Sequence, residues 1–150
     1  MASKKLLFVM ERQQQSNWCW TAAATSVGNY LSPGAGFAQC AIASICLGTN
    51  DCCVAPSSCN RPGRLDTALK AVGRFHRIWA ARLSFHQTAR EIKADRPVGV
   101  RVQWNGGGGH FVMLTEYFNV VGAIVVDDPH YGRSIMRFAS FPARHQTGGS

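Results

Sequence analysis

The sequence is poor in charge, and poorest in acid. Eight Asp and Glu stand against 16 Lys and Arg, a formal net charge of +8, and charged residues of both signs reach only 16% against 46% hydrophobic. That balance excludes intrinsic disorder, which needs low hydrophobicity and high charge. No stretch approaches ~18 uncharged apolar residues, so no membrane-spanning helix is expected. The 15 glycines follow no three-residue period, which excludes collagen. The C-x2-C pairs of common zinc modules are missing too. The nearest pattern is C-C-x5-C at Cys52, Cys53 and Cys59, and no metal or other cofactor is expected. Arginines are scattered and accompany no recognised nucleic-acid motif, so the positive charge reads as a basic surface with no specific nucleic-acid partner.

What is present suits one globular domain. A chain of 150 residues buries about two-thirds of its unfolded surface, so it folds without requiring disulfides. Five of the six cysteines nevertheless fall in 40–59, and Cys19 stands apart. With Cys19 a free thiol, the other five form one or two bridges and leave at least one thiol over, which favours an exported or delivered protein. No signal peptide is visible, because Leu6–Met10 is too short for an apolar core and is followed by Glu11-Arg12. Residues 146–150 read as an appended Gly/Ser linker tail.

Along the chain, 6–10 reads as a short strand or an extended lead-in. Apolar spacing predicts helices over Trp18–Leu31, Phe37–Leu47 and Leu65–Val72, with 48–63 a Cys/Pro/Ser/Asn-rich loop. Arg74–Leu83 reads as a strand. Ser84 and Gln87 have capping-box spacing and open a fourth helix that ends before Pro97. Strands follow over Val98–Trp104, His110–Tyr117, Val120–Asp127 and Ser134–Phe138. This is an α+β plan in a single domain, with a helical half at about 13–73 and a β half at about 74–142.

Cys19 falls one residue inside the start of the first helix, where backbone N–H groups and the helix dipole favour a thiolate. The competing reading is a small buried hydrophobe. Gln13, six residues upstream, carries an amide that, with the Cys19 N–H, suits a developing oxyanion, although Gln14 and Gln15 compete for that role. Among five histidines, His76 is placed in a strand, His86 in a first helical turn, His130 in a turn and His145 in a frayed tail. His110 differs: it follows Gly106–Gly109 and opens the most apolar strand. A hairpin of 110–118 with 120–128 brings its end, Asp127-Asp128, beside His110. Side-chain alternation lets only one of the two face the imidazole.

These residues carry a resemblance. Q-x5-C at Gln13 and Cys19, in the local form N-W-C-W-T-A-A, resembles the papain-like cysteine proteases. The W-C-W-x-A-A signature is most similar to the branch of bacterial papain-fold effector proteases secreted into plant cells, and more loosely to the bacteriocin-processing peptidases. G-H-F-V at 109–112 resembles that branch's His strand and V-V-D-D-P at 125–129 its acid element. The acid in that branch immediately precedes Pro, so the resemblance puts the third role on Asp128. Similarity extends to Q-C-A-I-A-S, D-C-C, C-N-R-P and L-x-x-A-L, over about residues 8–138, with Thr21 standing where Ala is commoner. It implies a papain-like fold with the N-terminal helical half packed against a C-terminal antiparallel β-sheet. It also implies a thiol endopeptidase using Cys19, His110 and Asp128 with Gln13 in the oxyanion hole. The implied partners are a protein or peptide substrate and, beyond it, a host activator or an inhibitor or immunity protein. The implied location is outside the producing cell, by secretion or delivery into a target cell as an effector or toxin. The same triad supports deamidation, transglutamination or other acyl transfer on such folds, because fold alone does not set reaction type.

Overall fold

The computed structural model describes residues 3–150. The chain divides into two compact units: one spans Phe8–Ile78, and the other joins the first strand to Trp79–Ser150.

The Phe8–Ile78 unit is helical. Helix α1 runs Cys19–Leu31, α2 Gln39–Leu47 and α3 Leu65–Ala71, with a short 3-10 turn at Pro56–Cys59. Alanines 22–24 favour α1, and every residue from Cys19 to Gly28 is buried. Within α1, Gly28 admits close neighbours: a Cβ there would meet the Phe37 ring at 2.7 Å and Val72 at 3.0 Å. Thr21 does what Ala would not, donating its buried hydroxyl to the Gln39 carbonyl at 2.9 Å. The Gln39 side chain in turn accepts from the Gln14 N–H and donates to the Arg12 carbonyl and the Glu11 carboxylate. These bonds strap the extended lead-in along the helices.

Two disulfides staple this unit, Cys40–Cys53 and Cys52–Cys59. Because Cys52 and Cys53 are neighbours, one short segment is tied both to α2 and to the 3-10 turn. Cys46 is the cysteine of 40–59 left as a thiol, and Cys19 is the other free one among the described residues.

The second unit is an antiparallel sheet with one helix, α4, at Phe85–Lys93. The expected capping box is present: Gln87 N–H donates to Ser84 Oγ at 3.1 Å, and Ser84 N–H to Gln87 Oε1 at 2.8 Å. The strands are β1 Ser3–Lys5, β2 Val98–Gln103, β3 Gly109–Phe118, β4 Ala123–Asp128 and β5 Gly132–Arg137. Both β1 and β2 pair with β3, β1 near its end and β2 near its start; β4 and then β5 follow in order. All six residues of β4 are buried.

Two expectations are corrected. Arg74–Leu83 forms no strand. Arg74 instead caps α1, donating to the Leu31 carbonyl and Ser32 hydroxyl, and Phe75 lies under the Lys70 ammonium. Local β-propensity there has no partner strand to satisfy its backbone. The 146–150 tail is not a loose linker. Gln103 and Ser150 exchange two backbone hydrogen bonds of 3.0 Å, and Gly149 bridges Trp104. Glycine is needed there, since a Cβ on Gly149 would lie 2.6 Å from the Gln103 carbonyl oxygen. Among the described residues no helix is long and apolar enough to cross a membrane.

Candidate active site

Cys19 is the first residue of α1 and is buried. The first intrahelical bond runs from Ala22 N–H to the Trp18 carbonyl at 2.9 Å. The N–H groups of Cys19, Trp20 and Thr21 therefore precede every intrahelical acceptor and concentrate positive potential at the thiol's position. No side chain caps this terminus. It is held from the outside by the loop at 59–61. Trp18 Nε1 donates to the Cys59 carbonyl at 2.8 Å and Trp20 Nε1 to the Arg61 carbonyl at 3.0 Å. Asn17 N–H and Nδ2 donate to the Asn60 side-chain and backbone oxygens, and Asn60 Nδ2 donates to Ser16 Oγ. The W-C-W signature thus has a mechanical role: an indole on each side of Cys19 grips one disulfide-stapled loop.

Gln13 lies in the turn before α1. Its Nε2 donates to the Gln15 carbonyl at 3.1 Å and the Ser16 carbonyl at 2.8 Å, and its Oε1 is buried with no donor among the described residues. The two carbonyls fix which way the amide faces, because a flipped amide would set oxygen against oxygen.

His110 is the second residue of β3 and is buried. Its Nε2 lies 2.8 Å from Asp128 Oδ1. A carboxylate only accepts, so this nitrogen carries the proton. The choice between Asp127 and Asp128 comes from a bulge. Phe118, Tyr117 and Glu116 pair with Ala123, Ile124 and Val125; Thr115 is then skipped, and Leu114 and Met113 pair with Val126 and Asp127. The skipped residue shifts the phase by one, so even-numbered residues of β3 then share a face with even-numbered residues of β4. One more step of that register sets Asp128 opposite Val112, on the face His110 shares. Asp127 goes to the other face, where it accepts from Thr115 Oγ1 and from Arg133 through both Nε and a terminal nitrogen, at 3.0 and 3.1 Å.

The Asp128 carboxylate is solvated by protein groups. Its Oδ1 also accepts the His130 N–H at 2.7 Å and the Tyr131 N–H at 3.0 Å, and its Oδ2 accepts His145 Nε2 at 2.8 Å. Burial raises the carboxyl's pKa, but hydrogen bonds from His110, His145 and Tyr131 together outweigh it and hold the group well below the usual carboxylate range. His145, expected in a frayed tail, is 2% exposed. Trp104 stacks on both imidazoles, 5.4 Å from His110 and 6.0 Å from His145. His145 carries no local sequence signal for this role, since it lies in a short polar stretch without periodicity, and Trp104 reads only as the end of the Val98–Trp104 strand. His76, His86 and His130 are exposed.

A family profile described as papain-like cysteine protease AvrRpt2 matches residues 3–146. The α+β architecture, with its antiparallel sheet, agrees with that fold, and the protein is a papain-like cysteine protease. Within that class, the chain belongs to the papain-like cysteine protease AvrRpt2 family. No curated protein and no solved structure matches it.

Proposed function

We propose that the protein is an endopeptidase whose chemistry is carried by Cys19, His110 and Asp128, and that it is a secreted bacterial effector or toxin acting on a protein of the target cell. The observation that carries the reading is the His110–Asp128 pair, in which Nε2 is committed to the carboxylate; the proposal gives the remaining ring nitrogen, Nδ1, to the thiol. The Cys19 thiolate attacks the scissile carbonyl carbon. The imidazolium protonates the departing amine, leaving a thioester; His110 then takes a proton from water as it attacks, and the acid product and thiol are released. The Cys19 N–H stabilises the oxyanion. Gln13 joins it by exchanging one of its bonds to the Gln15 and Ser16 carbonyls for the substrate oxygen. The two disulfides support passage through an oxidising compartment.

Cys19→Ala is expected to abolish turnover while leaving the melting curve in place. N-terminomics of target-cell lysate treated with active and C19A protein reads the substrates directly. New N-termini made only by the active protein support the reading. A +1 Da mass change or a cross-link in place of cleavage would replace peptidase with deamidase or transglutaminase, and turnover by C19A would end the proposal.

A further inference from the structure

Asp128 serves two histidines, and the proposed mechanism uses only one. Its carboxylate receives four donors, three on Oδ1 and one, His145 Nε2 at 2.8 Å, on Oδ2. The Asp128 side chain is fully buried and that of His145 is 2% exposed. The titratable groups at this carboxylate are His110 from β3 and His145 from the C-terminal segment, with the Tyr131 ring 6.3 Å from His110. A carboxylate's terminal torsion is soft, and the three donors on Oδ1 hold the group at one oxygen only, leaving the carboxylate plane free to turn. His145 occupies the second oxygen and removes that freedom. Trp104, nearly parallel to both rings at 22° and 14°, sets both imidazole planes. The C-terminal segment that carries His145 is itself tied to β2 through the Gln103–Ser150 pair.

We propose that His145 is a positioning residue that locks the Asp128 carboxylate on His110, so that the reacting imidazole has one tautomer and one orientation. This rests on the His110–Asp128 assignment above. The polar donor is what counts. His145→Gln places an amide N–H near the position of Nε2, whereas His145→Phe keeps the ring and removes the donor.

The test is the pH dependence of Cys19 alkylation by iodoacetamide, followed by mass spectrometry on intact folded protein, with Cys46 as the internal reference thiol. A thiolate held by an imidazolium reacts at pH values where an ordinary thiol does not. In H145F the low-pH alkylation is expected to fall about ten- to a hundredfold, in line with other groups that orient a functional imidazole, and H145Q is expected to restore most of it. D128N is the control for the underlying reading. If D128N changes the profile while H145F leaves it as in the wild type, the role of His145 is overturned and the triad stands. If neither D128N nor His110→Ala changes it, the triad itself fails. Should H145F not fold, the wild-type protein still decides. Two protected imidazole N–H proton resonances, one from each histidine, are expected near neutral pH; a single one, from His110 alone, would overturn the proposal.

Discussion

Trp18 and Cys59 are joined by a buried hydrogen bond, indole Nε1 to backbone carbonyl, at 2.8 Å. One partner directly precedes Cys19 and the other closes the Cys52–Cys59 disulfide. The position of the thiol therefore depends on a crosslink forty residues further along the chain.

Removing that crosslink by the double change Cys52→Ser and Cys59→Ser is expected to cost about 2–4 kcal/mol of stability. Below its lowered melting temperature, the variant should also alkylate more slowly at Cys19, because the 59–61 carbonyls lose their anchor. Thermal denaturation paired with alkylation rates measures both. Removing Cys40 and Cys53 instead should lower the melting temperature with a smaller effect on Cys19, since that bridge does not include Cys59.

Gly63→Ala tests the other tryptophan. A Cβ at Gly63 would lie 2.4–2.8 Å from the Trp20 indole. The ring has to move, at a cost of about 1–3 kcal/mol typical of overpacking, and its bond to the Arg61 carbonyl is strained with it. Urea denaturation gives the stability, and tryptophan fluorescence reports the displaced indole.

The two adjacent aspartates should separate cleanly. Asp128→Asn is expected to lower kcat by about 10²–10⁴-fold, the range of positioned acid–base catalysis, with the fold retained. Asp127→Asn weakens the pairing with Arg133 and Thr115 and should lower stability with kcat within a few-fold of wild type. Thr115→Val removes only the hydroxyl bond, at about 1 kcal/mol. Steady-state kinetics and chemical denaturation of all three variants settle the roles.

Acid should unfold the protein partly through Asp128. Its pKa is depressed in the folded state, against burial, by His110, His145 and the Tyr131 N–H. The stability this contributes is fully present above the unfolded carboxyl value of about 4 and is lost as pH falls through the lower folded value. Melting temperatures from pH 7 down to 2 should therefore drop most steeply below pH 4. In Asp128→Asn the curve should start lower and be flatter in that range.

Local pattern was informative wherever the controlling interactions were local. The capping box at Ser84 and Gln87, the α1 start at Trp18–Cys19 and four strands from Val98 onward follow from propensity and spacing and are present, although the strand expected from Val120 begins only at Ala123, after the turn at Gly122. Arg74–Leu83 misled because a β-prone run forms a strand only with a partner, and Arg74 is taken by the end of α1. The 146–150 segment misled for the converse reason. Its glycines look like a linker but allow close backbone approach to β2.

The amino-acid sequence by itself determined the four helices and the four strands that follow Pro97, a cysteine at a helix start, a histidine opening an apolar strand, an acid pair ending the next, and an odd cysteine in 40–59. Those features depend on residues within a few positions of one another. Spacing and alternation left Asp127 and Asp128 open and only the family resemblance pointed to Asp128; the tertiary structure supplies the physical reason that Asp128 faces His110, and it alone decided that Cys46 is the unpaired thiol and that His145 shares the carboxylate. Each of these turns on long-range registration. In a strand of period two, one bulged residue at Thr115 exchanges the two aspartates between faces, and nothing in the neighbouring letters marks where a partner strand will skip.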